Sequence, residues 1–297
     1  MPTNTPRAVF VTRETDYELL IARHATRDQA RFFLETRGQA IADVEDRHRR
    51  FGETLRAARA CVPAEWRQTL VHRSDFDRFL FGPEDVVVAV GQDGLVANIA
   101  KYLDGQPVLG VNPAPDLYDG VLVRIEVGAL GALLPASVHG DAPSERRTMV
   151  EARLDNGETL RALNEIFVGH CSHQSARYRI AVDGREEAQS SSGLIVASGT
   201  GATGWARSIM EATATHIALD PQEHAVAYFV REPFPSISTA TTVRAGKLVS
   251  AGLTVTSRMN DGGTVFADGI EQDHIGFDWG RQITIAPAEQ SLLLVTG

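Results

Sequence analysis

Cysteine is scarce: Cys61 and Cys171 are the two in 297 residues, too few for a disulfide framework, so a reducing compartment is expected. Basic excess is missing too. The formal net charge is −9, which weighs against a nucleic-acid partner while leaving room for a local basic pocket for phosphate. No apolar run approaches the length of a membrane span. Met1–Pro6 has no apolar leader region, and a cytoplasmic protein away from membranes is the expectation. There is no internal repeat, no low-complexity tract and no Gly-x-Ser-x-Gly nucleophile elbow. Ser190-Ser191-Ser192-Gly193 reads as a strand lead-in, not a nucleophile, and His170, Cys171 and His173 lack the spacing of a zinc site. What remains is a hydrophobic content of 43% and a charged content of 23%, enough to build a core for two domains or one large one.

One stretch stands out. Val86-Val87-Val88-Ala89-Val90 is continuously apolar and mostly β-branched, as in a strand buried on both faces. Gly91-Gln92-Asp93-Gly94 follows, then Val96, Ala100 and Leu103 at helical spacing, then Pro107-Val108-Leu109-Gly110-Val111 as the next strand. This is a β-α-β pattern with an acid at the carboxyl end of a strand, where open α/β sheets place their ligands. An ordinary glycine-rich turn with a helix-capping acid has the same signature.

Arg7–Thr12 reads as a first strand, 27–60 as one or two amphipathic helices, and 66–72 as a second strand, so the first part alternates strand and helix. Around 128–144 the texture suggests a boundary or linker. Beyond it the chain is mainly β. Asn156-Gly157 joins 148–154 to 159–168 as a hairpin, and further short strands are separated by Asp183-Gly184, Asp261-Gly262 and Asp268-Gly269. A helix is expected over 205–213. The predicted fold class is α/β plus all-β, a doubly wound domain at 1–127 and a β-rich domain of sandwich type at 128–297, with return of the last strand to the first domain left open.

A second glycine cluster, Ser198-Gly199-Thr200-Gly201-Ala202-Thr203-Gly204, lies between a strand and the Trp205 helix, a context in which backbone N–H groups hold phosphate. Gly199, Gly201 and Gly204 fit G-x-G-x-x-G, with Asp220 near the ribose-binding distance, but the surroundings are β-rich and not βαβ. The P-loop pattern fails, because Trp205-Ala206 stands where Lys-Ser or Lys-Thr is needed. A tight turn without a ligand is the plain alternative. Asn164-Glu165 places two polar residues in an apolar strand, costly unless they are paired or used.

Together these pieces resemble the NAD kinase family, which carries a Gly-Gly-Asp-Gly turn, an Asn-Glu pair and a Thr/Gly-rich loop in that order. Here they are Gly91-Gln92-Asp93-Gly94, Asn164-Glu165 and Gly199-Thr200-Gly201-Ala202-Thr203. The likeness is greatest to the animal mitochondrial-type branch, on stretches such as Tyr17-Glu18, 108–112, Ser191-Ser192-Gly193-Leu194 and Arg231-Glu232-Pro233. The resemblance implies an NAD kinase/diacylglycerol kinase-like fold with the active site in the interdomain cleft. It implies a homodimer or homotetramer, and transfer of the γ-phosphoryl of ATP, with Mg2+, to the 2′-hydroxyl of the adenosine ribose of NAD. By the same resemblance Asp93 accepts the ribose proton and Gly91 and Gly94 give the backbone room for phosphate. Asn164 and Glu165 hydrogen-bond the nucleoside, Ser192, Thr200, Gly201 and Thr203 line the dinucleotide pocket beside Gly199, and Trp205 packs against a ring. Gln92 replaces the family's second glycine, Leu95 its usual threonine, and Ser192 the aspartate of many members. Other readings are a non-catalytic nucleotide-binding protein of this fold, a kinase for another hydroxyl acceptor, or polyphosphate as donor.

Overall fold

The buried valine run becomes the centre of a parallel sheet in a computed structural model describing residues 5–249, 251–271 and 273–297. The chain forms two compact units, one of 1–145 with 293–297 and the other of 146–292.

In the first unit, β1 (Arg7–Thr12) leads into α1 (Asp16–His24), α2 (Arg27–Glu35) and α3 (Ile41–Ala60), then β2 (Arg67–His72), β3 (Asp85–Val90), α4 (Asp93–Ala100), β4 (Pro107–Val111) and α5 (Leu130–His139). The strand order is β2-β1-β3-β4, and all these pairings are parallel. All six residues of β3 are buried, which explains its lack of polar alternation. Phe10, Val88 and Val90 pack in one cluster with Leu130 and Leu134 of α5 and Ala58 of α3. Arg7 holds the buried Asp85 with hydrogen bonds of 2.7 and 2.5 Å, fixing the starts of β1 and β3 together. α1 was not foreseen as a helix. Its signal was legible as Thr15-x-x-Glu18, which forms a capping box.

Much of the stretch read as a boundary or linker is the helix α5. Leu130 and Leu134 are fully buried, and that packing outweighs the glycines and Pro135.

The second unit contains β5 (Ser144–Leu154, whose first two residues belong to the first unit), β6 (Thr159–Ala162), β7 (Glu165–His170), β8 (Ala176–Val182), β9 (Arg185–Ser191) and β10 (Leu194–Ser198). α6 (Trp205–Thr213), β11 (Val226–Val230), β12 (Ala245–Leu248), β13 (Leu253–Ser257), β14 (Gly263–Ala267), β15 (Ile275–Gly276) and β16 (Gln282–Val295) follow. One antiparallel sheet runs β12-β11-β10-β7-β14-β15; β16, β13, β8 and β9 pair antiparallel in a second. Alternate residues such as Ile166, Val168, Val196, Tyr178 and Val255 share one core, the mark of a sandwich. On the opposite face of the first sheet, Phe167, Ile195 and Phe229 pack with Ala206 of α6. The last residues of β16, Leu293–Val295, pair parallel with β4 in the first unit. The fold is therefore α/β followed by a β-sandwich-like unit. No helix among the described residues is long and apolar enough to cross a membrane.

The expected strand 159–168 divides. β6 pairs with β5, whereas β7 joins the other sheet between β10 and β14. Asn164 lies at this corner and not inside a strand, for a reason found at Asp268.

Candidate active site

Asp93 is the first residue of α4, with Gln92 as its N-cap. Its carboxylate does not cap α4. Val121 N donates to Oδ2 at 2.9 Å, and Leu122 N and Val123 N donate to Oδ1 at 2.8 and 3.1 Å. Gly110 of β4 makes this possible: a Cβ there would lie 2.1 Å from the Leu122 carbonyl oxygen, so only glycine lets 121–123 come this close. A carboxylate has about four lone-pair sites. Two on Oδ1 and one on Oδ2 are taken, which leaves one on Oδ2 to accept from a ligand hydroxyl. Gly91 is buried and Gly94 exposed, with open space where a Gly94 side chain would stand. Leu95 is buried in the core.

A second aspartate repeats the device. Asp268 accepts from Leu163 N at 3.0 Å, Asn164 N at 2.7 Å and Glu165 N at 3.3 Å. These N–H groups serve Asp268, which breaks the strand at Leu163-Asn164. The Asn164 and Glu165 side chains have no hydrogen-bond partner among the described residues. Asp268 was legible only as a turn residue of Asp268-Gly269; its role needed the tertiary pairing of β14 with β7.

The Gly199 turn packs against the same corner. Ser198 N donates to the Asn164 carbonyl at 2.9 Å, and the Ser198 hydroxyl donates to Leu163 O. Thr200 N and Gly201 N donate to that hydroxyl at 3.1 and 3.3 Å, so these two N–H groups are not available for phosphate in this conformation. Thr200 is buried, its hydroxyl accepting from Arg147 at 3.4 Å, and the Thr203 hydroxyl donates to Thr200 O at 2.8 Å. β10 is antiparallel to both neighbours, which removes the βαβ setting of the dinucleotide fingerprint, and Asp220 instead accepts from Gln222 N. Trp205 stacks with Phe167 at 6.1 Å between ring centroids, with the Arg231 guanidinium 5.3 Å from its ring. Ser192 is exposed, and its N–H donates to Arg231 O at 2.9 Å. Asn164, Glu165, Thr200 and Gly201 are thus brought together, with Ser192 and Trp205 linked through Arg231. Asp93, Gly91, Gln92 and Gly94 form a separate set in the first unit.

No family model matches the chain. It is similar to an NAD kinase of Burkholderia pseudomallei, at 33% identity over 132 residues covering 42% of this chain and 43% of that protein. It is similar to human mitochondrial NAD kinase 2 at 26% identity over 254 residues, covering 68% of this chain and 58% of the human one. Among solved structures, an NAD kinase from Archaeoglobus fulgidus in complex with ATP shares the fold, with a TM-score of 0.60 and 22% identity over 98% of this chain and 93% of that one. The chain is thus similar to NAD kinases over part of its sequence and shares their fold. The matched stretches span about half the length of these curated relatives.

The electrostatics of Glu165 give a measurable consequence. Burial first, and the Asp268 charge second, push its carboxyl up from 4.5 to about 7. A raised folded-state value means that the folded chain holds the proton more tightly. The stabilisation is complete below 4.5 and lost as pH rises through about 7. Glu165→Gln mimics the protonated form. Between pH 4.5 and 8 the wild type should lose about 3 kcal/mol relative to this variant in paired denaturant titrations. A constant difference across that range would show that Glu165 does not titrate between the two states.

Proposed function

We propose that the chain transfers the γ-phosphoryl of ATP to the 2′-hydroxyl of the adenosine ribose of NAD, giving NADP. The observation that carries this reading is the single open acceptor site on Asp93 Oδ2, at the carboxyl end of β3. A ribose hydroxyl donating to Oδ2 is oriented for attack on the γ-phosphorus. As the new O–P bond forms, the hydroxyl proton passes to Asp93, and the electron pair of the breaking P–O bond leaves with ADP. The three N–H donors hold the carboxylate in one orientation for this.

The divalent cation spreads charge over the donor phosphates. Among the described residues no group of three or more His, Cys, Asp or Glu side chains is set to hold a metal ion. We therefore assign the cation to the nucleotide, which brings it as MgATP. Asn164 and Glu165, polar and without a partner among the described residues, are suited to hydrogen-bond the nucleoside. Thr200 and Gly201 support that corner and are not, in this reading, its phosphate ligands.

Two free cysteines support a reducing compartment such as the cytoplasm. Exposed Phe234, Ile237 and Trp279 in the second unit support a homodimer or homotetramer. The test is direct. Purified chain with NAD, ATP and Mg2+ should yield NADP by mass, with NADH and polyphosphate as parallel substrates. Calorimetric binding of NAD with no phosphorylated product from any donor would overturn the kinase reading in favour of a binding protein.

A further inference from the structure

In the first unit, β1 pairs with β2 on one side and β3 on the other, so the chain winds outward in both directions from β1 and β3. In doubly wound sheets the crevice at the carboxyl ends of two such strands is where ligands sit. A pocket is present there. Its walls include Arg13 and Thr15 just after β1, Gly91 and Gln92 just after β3, and Arg47 and His48 of α3.

The cations of this pocket differ in what holds them. Arg47 Nη2 is 3.9 Å from Asp16 Oδ2. His48 Nδ1 is bonded to the Thr15 hydroxyl at 2.8 Å. Arg13 has no carboxylate partner among the described residues; its Nη2 donates instead to the neutral Gln92 Oε1 at 2.9 Å. Glu14 and Asp16, the acids in the pocket wall, are exposed. A half-buried guanidinium oriented by an amide keeps its full charge and most of its N–H donors for an anion, and its planar fork suits phosphate. Gln92 also keeps two amide N–H donors without a partner among the described residues. It stands where the family turn has glycine, so the holder of Arg13 is supplied by this chain's own departure from the pattern.

We propose that Arg13, oriented by Gln92, binds the phosphate chain of the phosphoryl donor. This rests on the kinase reading above. The donor is favoured over NAD because Gln92 directly precedes Asp93, and the phosphoryl group must lie beside the hydroxyl that Asp93 orients.

The experiment uses the full chain and calorimetry with ATP, inorganic tripolyphosphate and NAD. Arg13→Ala should weaken ATP and tripolyphosphate by about 10–100-fold each and leave NAD within about twofold. Arg13→Lys, which keeps the charge without the fork, should recover part of the loss. Gln92→Gly should weaken tripolyphosphate less than Arg13→Ala does. In turnover the KM for the donor should rise more than kcat falls. Unchanged tripolyphosphate binding in Arg13→Ala, a loss confined to NAD, or a wild type that binds neither polyphosphate probe would overturn the assignment. Arg13-dependent binding without NADP formation would sink the kinase reading and leave Arg13 as a phosphate-chain contact of a bound nucleotide that is not a phosphoryl donor. NADP formation with an unchanged donor KM in Arg13→Ala would do the reverse.

Discussion

Asp93→Asn should lower NADP formation by about 10²–10⁴-fold, the range for removing a positioned general base. It should also cost stability, because the carboxylate serves two purposes. Its Oδ1 accepts from Leu122 N and Val123 N, and Oδ2 accepts from Val121 N. An amide can keep its oxygen toward the first two donors only by turning its NH2 toward the third. Two N–H groups then face each other where one bond stood, at a cost of about 1–3 kcal/mol. Denaturant titration and single-turnover kinetics on the same preparation separate the two effects. Wild-type turnover in a folded Asp93→Asn protein would eliminate Asp93 as the base. Full stability combined with lost turnover would show that the 121–123 contacts contribute little.

Gly201→Ala carries the other large effect. A Cβ at position 201 would sit 2.1 Å from the Asn164 carbonyl oxygen and 2.7 Å from its carbonyl carbon. Backbone cannot yield as a flexible side chain does, so either the Gly199 turn or the Asn164 corner must move. Overpacking of this kind costs about 1–3 kcal/mol and often more. The corner is tied to Asp268 through three N–H bonds and to Ser198 through the Asn164 carbonyl, so a displacement there misplaces Asn164 and Glu165 together. The expected result is a lower denaturation midpoint and NAD affinity weakened by at least about tenfold, a loss of about 1.4 kcal/mol. Gly204→Ala is the control, because the nearest atom to a Cβ there is 3.7 Å away. Equal effects from the two variants would mean that glycine at 201 is not required by the Asn164 contact.

These two glycine-rich turns show how far the sequence could be read. Periodicity and β-branched runs were enough for the parallel sheet, since a strand buried on both faces must be apolar throughout, as Asp85–Val90 is but for its first residue. The Asn-Gly hairpin was legible because a tight turn demands a residue that tolerates positive φ, as Gly157 does. The α5 helix was not, because its glycines and Pro135 argue locally against helix and the burial of Leu130 and Leu134 is a long-range fact. The same holds for Ser198. A serine before a glycine turn has no local signature for drawing the Thr200 and Gly201 N–H groups away from phosphate.

By itself the sequence determined the α/β-then-β order, the apolar strands and the three motifs whose order resembles an NAD kinase, because each of these rests on neighbours within a few residues. Only the tertiary structure decided how each acid is used. Asp93 is held by 121–123 because Gly110 admits that segment, and Asp268 shapes the Asn164 corner because β14 pairs with β7. Arg13 meets Gln92 because β1 and β3 are adjacent in the sheet although 79 positions separate the two residues. Such contacts form between residues that are close only after folding, so no local pattern encodes them.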